Sequence, residues 1–266
     1  MRLNVIELKE IFSKIEETLQ NQSSLTKQLF DCRFGKFKNI DYRLMADDDI
    51  FWILVYVTFY SGMKAATVSQ KLVIIKRYLY DFRKVKDYSQ QEINQILNDP
   101  NMIHNKRKIN ACIENAKEFY NLISQKGSFQ KYLESFEPLT NEENIERLKA
   151  DLRRRFHYLG ERTVNHFLTD LGLNVLKPDR VICRIFERLG LIENKNNIGK
   201  AIEVGKKIAV ATNYPIRYID ICFVKYGQMG EDEYFGLTDG ICLERNPKCS
   251  ICGVKEYCRY YANHNG

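Results

Sequence analysis

Hydrophobic residues recur with the period of an α-helix along most of the chain. This period predicts helices over 4–20, 49–61, 64–83, 106–125, 142–157, 161–171, 180–189, 199–211 and 216–227. In the first of these, one stripe carries Val5, Leu8, Ile11, Phe12, Ile15 and Leu19. Ser89 and Glu92 have the spacing of a capping box, which predicts the start of a further helix. No segment shows the sustained alternation of a β-strand, so the sequence predicts an all-α protein.

The chain contains no proline-rich or low-complexity linker. The polar segment 136–144 is the best candidate for a boundary in the sequence. We expect a two-lobed protein, in which one helical lobe combines residues 1–45 with 172–240 and the other is the continuous segment 46–171. The segment 241–266 is dense in cysteine, and we expect it to form a small metal-binding loop.

The composition fits a folded protein, with 44% hydrophobic and 28% charged residues in a chain of 266. This excludes a wholly disordered chain and suffices for a buried core. No stretch approaches the roughly 20 apolar residues of a membrane-spanning helix. The first 20 residues include acidic side chains and no small-residue cleavage site, which is not typical of a signal peptide. We therefore expect a cytoplasmic protein without a membrane partner.

The formal net charge is +7, and its distribution is more informative than its size. Cations cluster in two stretches, one with Arg147, Lys149, Arg153, Arg154, Arg155 and Arg162, the other with Lys106, Arg107 and Lys108. Clustered cations favour a polyanionic partner, because each neutralised phosphate releases counterions. Solvated helix faces explain charge runs equally well, so the sequence leaves both interpretations open.

Four of the eight cysteines lie close together near the C-terminus in the pattern C-x6-C-x2-C-x5-C, formed by Cys242, Cys249, Cys252 and Cys258. In a chain without a secretion signal, this density indicates a metal site rather than disulfides. Four thiolates suit either zinc or an iron–sulfur cluster. The other cysteines occur singly on apolar stripes and are predicted to be core residues, namely Cys32, Cys112, Cys183 and Cys222. No pair among the four histidines has the spacing of metal ligands.

This tail, including the local sequence RNPKCSIC, resembles the [4Fe-4S] loop of the endonuclease III and adenine-mismatch glycosylases. These proteins belong to the helix-hairpin-helix DNA glycosylase superfamily. The resemblance implies that the four tail cysteines hold a [4Fe-4S] cluster with a structural and redox role. It also suggests phosphate contacts by the neighbouring cations Lys248, Lys255 and Arg259. A zinc protein with unrelated chemistry is the alternative.

Residues 156–190 resemble the helix-hairpin-helix of the same superfamily, with Tyr158 in place of its first glycine. The resemblance implies a hairpin that presents backbone N–H groups and a helix N-terminus to a DNA phosphate. It assigns the DNA contacts here to Leu159, Gly160, Glu161 and Arg162. His157, beside the hairpin, is a further candidate for a phosphate contact.

Asp179 directly precedes a strongly amphipathic segment, which by itself predicts a helix N-cap. The resemblance implies that this carboxylate is catalytic. It would stabilise the oxocarbenium-like state of the sugar and orient or deprotonate the attacking water. Superfamily members that also cleave the strand carry a lysine where Arg162 stands, and arginine cannot act as the nucleophile. We therefore expect a monofunctional enzyme, with Lys177 as the alternative nucleophile.

Residues 51–136 resemble the 3-methyladenine DNA glycosylase I group of the superfamily. Val57 stands at the position of that group's pocket glutamate, and its pocket tryptophan falls near Ala65. No equivalent of its zinc site is present in the sequence. These departures predict that the base is recognised in a different way.

A flipped-out base needs a pocket with aromatic faces and a side chain that fills the gap left in the duplex. Phe51, Trp52, Tyr56 and Tyr60 lie on one predicted helix and are candidates for the lining, with Trp52 and Tyr56 assigned to the base pocket. By alignment, the wedge falls at Tyr60 and Ser61. A plain core role is the alternative for such an aromatic stripe.

Together these features predict a monomeric, nucleoid-associated DNA N-glycosylase of base excision repair. It would act on double-stranded DNA and remove a damaged base, preferably a modified or alkylated purine, or a mispaired one, leaving an abasic site. The alternatives are a uracil or mismatch glycosylase and a non-catalytic DNA-binding module that retains the fold and the cluster.

Overall fold

The computed structural model describes residues 4–265, and over this range the protein is all-α. In place of strands, the described residues contain a single isolated bridge between Asp232 and Leu237. The helices are α1 Val5–Gln22, α2 Lys27–Gly35, α3 Asp47–Tyr60, α4 Ala65–Ser69, α5 Leu72–Leu79, α6 Phe82–Val85, α7 Gln90–Asn98, α8 Lys106–Lys126, α9 Phe129–Glu134, α10 Glu142–Arg155, α11 Glu161–Asp170, α12 Arg180–Arg188, α13 Ile198–Thr212, α14 Ile216–Gly227 and α15 Arg259–Asn265. Among them, none is long and apolar enough to span a membrane.

The chain folds into two compact units. The first combines the residues up to Ile40 with those from Asn174 onward, and the second is Asp41–Leu173. The cysteine-rich tail therefore belongs to the first unit. Segment 136–144, which includes the loop after α9 and the first turn of α10, lies inside the second unit, so the boundary predicted there is wrong.

The first unit is built around α1, α12, α13 and α14. The predicted stripe of α1 is buried from Leu8 to Leu19, whereas Val5 at its start is 61% exposed. A Cβ atom on Gly205 of α13 would lie 2.7 Å from the side chain of Leu176. Because glycine allows this close approach, α13 packs directly against the segment that leads into α12. Asp179 follows three residues after Leu176.

The second unit is centred on α3, which packs against α8 and α11. Phe51 is fully buried, with ring centroids 5.4 Å from Phe119 and 5.9 Å from Phe82. It is therefore a core residue and not a pocket residue, which corrects its place among the candidates for the lining. Burial of such a ring contributes roughly 1.5–3 kcal/mol to stability.

Three local features differ from the sequence-based expectations. Segment 64–83, predicted as one helix, forms α4, α5 and α6. The last break occurs at Asp81, whose backbone is extended and whose side chain accepts a hydrogen bond from the Arg83 N–H, so it starts a new helix. Cys32 is exposed, whereas the other three isolated cysteines are buried as predicted. The capping box of Ser89 and Glu92 is confirmed at the start of α7.

Candidate functional site

The Thr163 hydroxyl group bridges two main-chain groups of the turn between α10 and α11. Thr163 Oγ1 accepts a hydrogen bond from the Gly160 N–H at 2.7 Å and donates one to the Tyr158 carbonyl at 2.6 Å. Tyr158 has a φ of 62°, a left-handed conformation that is unusual for a residue with a large side chain. Gly160, Glu161 and Arg162 are exposed at the N-terminus of α11. The first amides of a helix lack intrahelical partners, so this end suits an anion.

The side chain of Leu159 is only 2% exposed and belongs to the core of the second unit. Of the four residues predicted to contact DNA, Leu159 can therefore offer only its main chain. His157, two residues before Leu159, is held by Asn115 of α8. The Asn115 side chain accepts from the His157 N–H at 2.8 Å and donates to its carbonyl at 3.1 Å.

Trp52, Tyr56 and Tyr60 form a partly buried aromatic row along α3. The Trp52 and Tyr56 ring centroids are 5.6 Å apart, and those of Tyr56 and Tyr60 are 6.2 Å apart, both in edge-on arrangements. Val57, at the position of the family's pocket glutamate, is fully buried, and Ala65 is exposed. Val57 therefore supplies no carboxylate at the position where the 3-methyladenine group has its pocket glutamate.

A polar cluster of Tyr56, His166 and Asp170 lies beside this aromatic row. The Tyr56 hydroxyl donates to Asp170 Oδ2 at 2.8 Å, and His166 Nε2 lies 3.2 Å from the same oxygen. The Asp170 side chain is only 6% exposed, and that of His166 is 11% exposed. Sequence analysis missed this cluster. The available signal was the i, i+4 spacing of a histidine and an aspartate on the predicted helix 161–171.

The predicted wedge residues lie where α3 ends. Ser61 is the C-cap of α3, and Gly62 follows it with a φ of 70°. The Tyr60 hydroxyl is 2.9 Å from Ser69 Oγ. Lys108 Nζ donates to the carbonyl of Ser61 at 2.6 Å and also to that of Thr58. Sequence analysis counted Lys108 in a basic cluster, but the residue is only 3% exposed.

The basic stretch from Arg147 to Arg162 is partly neutralised by ion pairs within the protein. Arg155 contacts Asp151 and Glu118, and Lys149 Nζ lies 2.7 Å from Glu146 Oε1. Arg153 and Arg162 are exposed. The cationic surface available to a polyanion in this stretch is therefore smaller than the sequence suggested.

Asp179 is the N-cap of α12, as the sequence predicts. Its Oδ1 accepts a hydrogen bond from the Ile182 N–H at 2.8 Å. Its Oδ2 lies 3.9 Å from Lys177 Nζ, and the side chain is 23% exposed. The N-terminus of α12 and Lys177 thus both lie beside this side chain. One oxygen is therefore fixed by the helix, while the group stays accessible to water.

The four tail cysteines line one pocket of the first unit, together with Arg188, Lys255, Tyr260 and others. Arg188 Nη1 donates to Cys242 Sγ at 3.2 Å, and the Tyr261 N–H donates to Cys258 Sγ at 3.4 Å. The Tyr226 hydroxyl lies 3.2 Å from Cys252 Sγ. Donors aimed at sulfur, with two cations nearby, are typical of sites that hold thiolates.

Burial raises the pKa of the Cys252 thiol and that of the Cys258 thiol. These two groups therefore need a compensating positive charge to ionise. Over residues 4–265, no group of three or more His, Cys, Asp and Glu side chains is arranged to hold a single metal ion. The four thiols line one pocket.

Residues 20–195 match the family model described as methyladenine glycosylase. The chain belongs to the methyladenine glycosylase family. The predicted resemblance is therefore confirmed.

This family member is similar to several glycosylases. Endonuclease III of Rickettsia prowazekii (strain Madrid E) is 28% identical over 108 residues, which are 40% of this chain and 43% of that protein. The chain thus matches less than half the length of this curated relative. The structure of 8-oxoguanine DNA glycosylase from Methanocaldococcus jannaschii has a TM-score of 0.50 at 17% identity, covering 79% of this chain and 90% of that one.

The structure of 3-methyladenine DNA glycosylase I from Staphylococcus aureus has a TM-score of 0.45 at 22% identity, covering 57% of this chain and 90% of that one. At 17% identity, the likeness to the 8-oxoguanine DNA glycosylase structure concerns the fold alone. The methyladenine glycosylase family member therefore has the all-α fold of the helix-hairpin-helix glycosylases.

Proposed function

We propose that this protein is a monofunctional DNA N-glycosylase that removes a modified purine from double-stranded DNA and leaves an abasic site. The observation that carries the proposal is Asp179, an accessible carboxylate fixed at the N-terminus of α12 by the Ile182 N–H. Family membership supports the reaction class. In this proposal the enzyme acts as a monomer in the cytoplasm, close to the nucleoid.

The reaction breaks the bond between the sugar C1′ and the base nitrogen, which keeps the bonding electrons. A water oxygen then bonds to C1′, and the water gives up a proton. The Asp179 carboxylate stabilises the positive charge that develops on the sugar and accepts this proton or orients the water. Because Oδ1 is held by the helix, the charge is preorganised before substrate arrives.

The hairpin residues Gly160, Glu161 and Arg162 bind the strand through a phosphate at the exposed N-terminus of α11, with the main chain of Leu159 alongside. Contacts of this kind hold the duplex without reading its sequence. Tyr60 and Ser61 form the wedge that fills the duplex when the nucleotide is extruded. Trp52 and Tyr56 provide the aromatic faces for the extruded base.

The substrate class rests on the family and on the pocket. Aromatic faces and the buried Asp170 beside Tyr56 suit an electron-poor base such as an alkylated purine. Val57 excludes recognition by the glutamate of the 3-methyladenine group. A uracil or mismatch glycosylase is the alternative, and the lesion panel below separates the two.

The four tail cysteines and their surroundings fit a [4Fe-4S] cluster. A cluster bound there would be held by the thiolates of Cys242, Cys249, Cys252 and Cys258, with Arg188 and Lys255 beside them to offset their negative charge. The endonuclease III relative adds support. When bound, the cluster supplies a rigid crosslink and a redox centre, and hydrolysis is left to Asp179.

The test is excision from duplexes that each carry one alkylated or oxidised purine, a uracil or a mismatch, followed by alkali cleavage. Wild type should cleave at least one alkylated purine. Asp179→Asn should bind the same duplex but lose at least about a hundredfold in single-turnover rate. If wild type binds every duplex and cleaves none, the protein is a non-catalytic DNA-binding module.

The nature of the metal is tested separately. Anaerobically purified protein should contain iron and sulfide in equal amounts and absorb broadly in the visible range. Colourless protein with stoichiometric zinc would reject the cluster.

A further inference from the structure

Lys108 lies at an unexpected place for a buried cation. It is in the first turn of α8, where the helix dipole disfavours a positive charge. Its Nζ instead reaches the C-terminal end of α3 and donates to the carbonyls of Thr58 and Ser61. The last carbonyls of a helix lack intrahelical partners, and a cation is favourable there. Lys108 therefore stabilises the end of α3.

The same ammonium group also touches the hairpin. Lys108 Nζ lies 4.3 Å from the centroid of the Tyr158 ring, within the range of a cation–π interaction. Tyr158 has the left-handed conformation that a side chain of its size seldom adopts, so the turn requires support from its neighbours. One buried charge therefore contacts both the end of α3 and the hairpin.

Asn115 shows that this face of α8 is directed at the hairpin. It lies seven residues after Lys108, on the same face of the helix, and is 1% exposed. Its side chain holds both main-chain groups of His157. The side-chain contacts of Asn115 described here reach only the hairpin, whereas Lys108 contacts both the hairpin and α3.

We propose that Lys108 is a positioning residue that couples the wedge, Tyr60 and Ser61, to the hairpin, so that binding of a phosphate at the hairpin and insertion of the wedge occur together. The inference rests on the proposed function, which assigns these two segments to DNA. Lys108 itself is buried and touches neither DNA nor the reacting atoms. Substitution of Lys108 should therefore reduce insertion of the wedge into bound duplex but leave the affinity for duplex unchanged.

The experiment uses a duplex that carries 2-aminopurine next to a tetrahydrofuran abasic-site analogue. Insertion of the wedge unstacks the fluorescent base and raises its emission, while fluorescence anisotropy of a separate dye reports binding. Lys108→Met keeps a side chain of similar length without the charge. The control is Lys117→Met, which removes an exposed lysine from the same helix.

We expect wild type and Lys117→Met to bind with the same rise in emission per bound duplex. Lys108→Met should bind with a similar Kd but show a rise smaller by about threefold, the scale of one cation–π contact. An unchanged rise with Lys108→Met would overturn the inference and leave Lys108 as a packing residue. A loss of binding in proportion to the loss of emission would also overturn it.

A second variant covers the case in which Lys108→Met does not fold. Tyr158→Asn removes the ring but suits the left-handed backbone, and it leaves the contacts of Lys108 with α3 in place. It should show the same smaller rise. If wild type binds without any rise, the assignment of the wedge fails together with this inference. The excision assay with Asp179→Asn, by contrast, tests the catalytic proposal independently of both.

Discussion

Arg188 Nη1 donates a hydrogen bond to Cys242 Sγ at 3.2 Å, and the same guanidinium group donates to the carbonyls of Leu243 at 2.6 Å and Glu244 at 3.0 Å. The fork geometry of arginine therefore joins α12 to the cysteine-rich tail. Asp179 caps the other end of this helix. The carboxylate and the tail are thus fixed by the two ends of one short helix.

Removal of this guanidinium should change the cluster that we propose. A positive charge and a donor at the sulfur favour the reduced, more negative cluster, so Arg188→Met should move its reduction potential to more negative values. The measurement is a redox titration monitored by electron paramagnetic resonance. Arg245→Met, a substitution of an exposed arginine in the same tail, is the control and should leave the potential unchanged. An equal shift in both variants would mean that the effect comes from net charge alone.

Asp179 should separate stability from activity. Asp179→Ala removes the cap of α12 and should lower the free energy of unfolding by about 1 kcal/mol, whereas asparagine caps as well as aspartate. Asp179→Asn should therefore keep the stability of wild type, and both variants should lose excision. Urea denaturation checks the first statement. Equal destabilisation by both substitutions would contradict the capping role.

Tyr56→Phe should destabilise the second unit by about 1 kcal/mol, because Asp170 is buried and loses a donor. The ring and its contacts with Trp52 and Tyr60 remain. The matched control is Tyr120→Phe, at a tyrosine that is 41% exposed on α8. Chemical denaturation of the two variants should differ. If it does not, the hydrogen bond to Asp170 contributes nothing to stability.

Arg162→Lys tests whether the chemistry is monofunctional. A lysine at this position can form a Schiff base with the opened sugar, which arginine cannot. Borohydride should trap a covalent complex of the variant with abasic DNA and none of wild type. Trapping of wild type would show that another lysine reacts, and Lys177→Ala would then identify whether Lys177 is responsible.

The stability contributed by Lys108 should depend on pH. Burial lowers the pKa of Lys108 from 10.5 to about 8, whereas the unfolded chain keeps the ordinary value. Between pH 8 and pH 10.5 the unfolded state binds more protons than the folded state. The contribution of Lys108 to the unfolding free energy therefore rises with pH in this range. The difference between wild type and Lys108→Met should grow by up to about 1.4 kcal/mol per pH unit above about pH 8. Urea unfolding over this range measures it, and a constant difference would contradict the shift.

Features that depend on local sequence were predicted well. The helices of α1, α8, α10 and α12 follow from hydrophobic period, and the caps at Ser89 and Asp179 from side chains that reach main-chain groups three residues away. The break of 64–83 into three helices was not predicted. The hydrophobic period continues through both breaks, the one after Ser69 and the one at Asp81.

Contacts between distant residues were not predictable in the same way. Lys108 looked like a member of a basic patch, because nothing nearby in the sequence shows that the end of α3 needs a buried cation. Likewise, the sequence does not show that Tyr56 of α3 contacts Asp170, because the two residues are 114 positions apart.

The sequence by itself therefore determined the all-α class, the cap at Asp179 and the spacing of the four tail cysteines, since each depends on residues a few positions apart. Only the tertiary structure decided which charges are buried and which segments a single side chain joins. Burial and long-range contact depend on packing between helices that are far apart in the chain. Desolvation then lowers the pKa of buried cations such as Lys108.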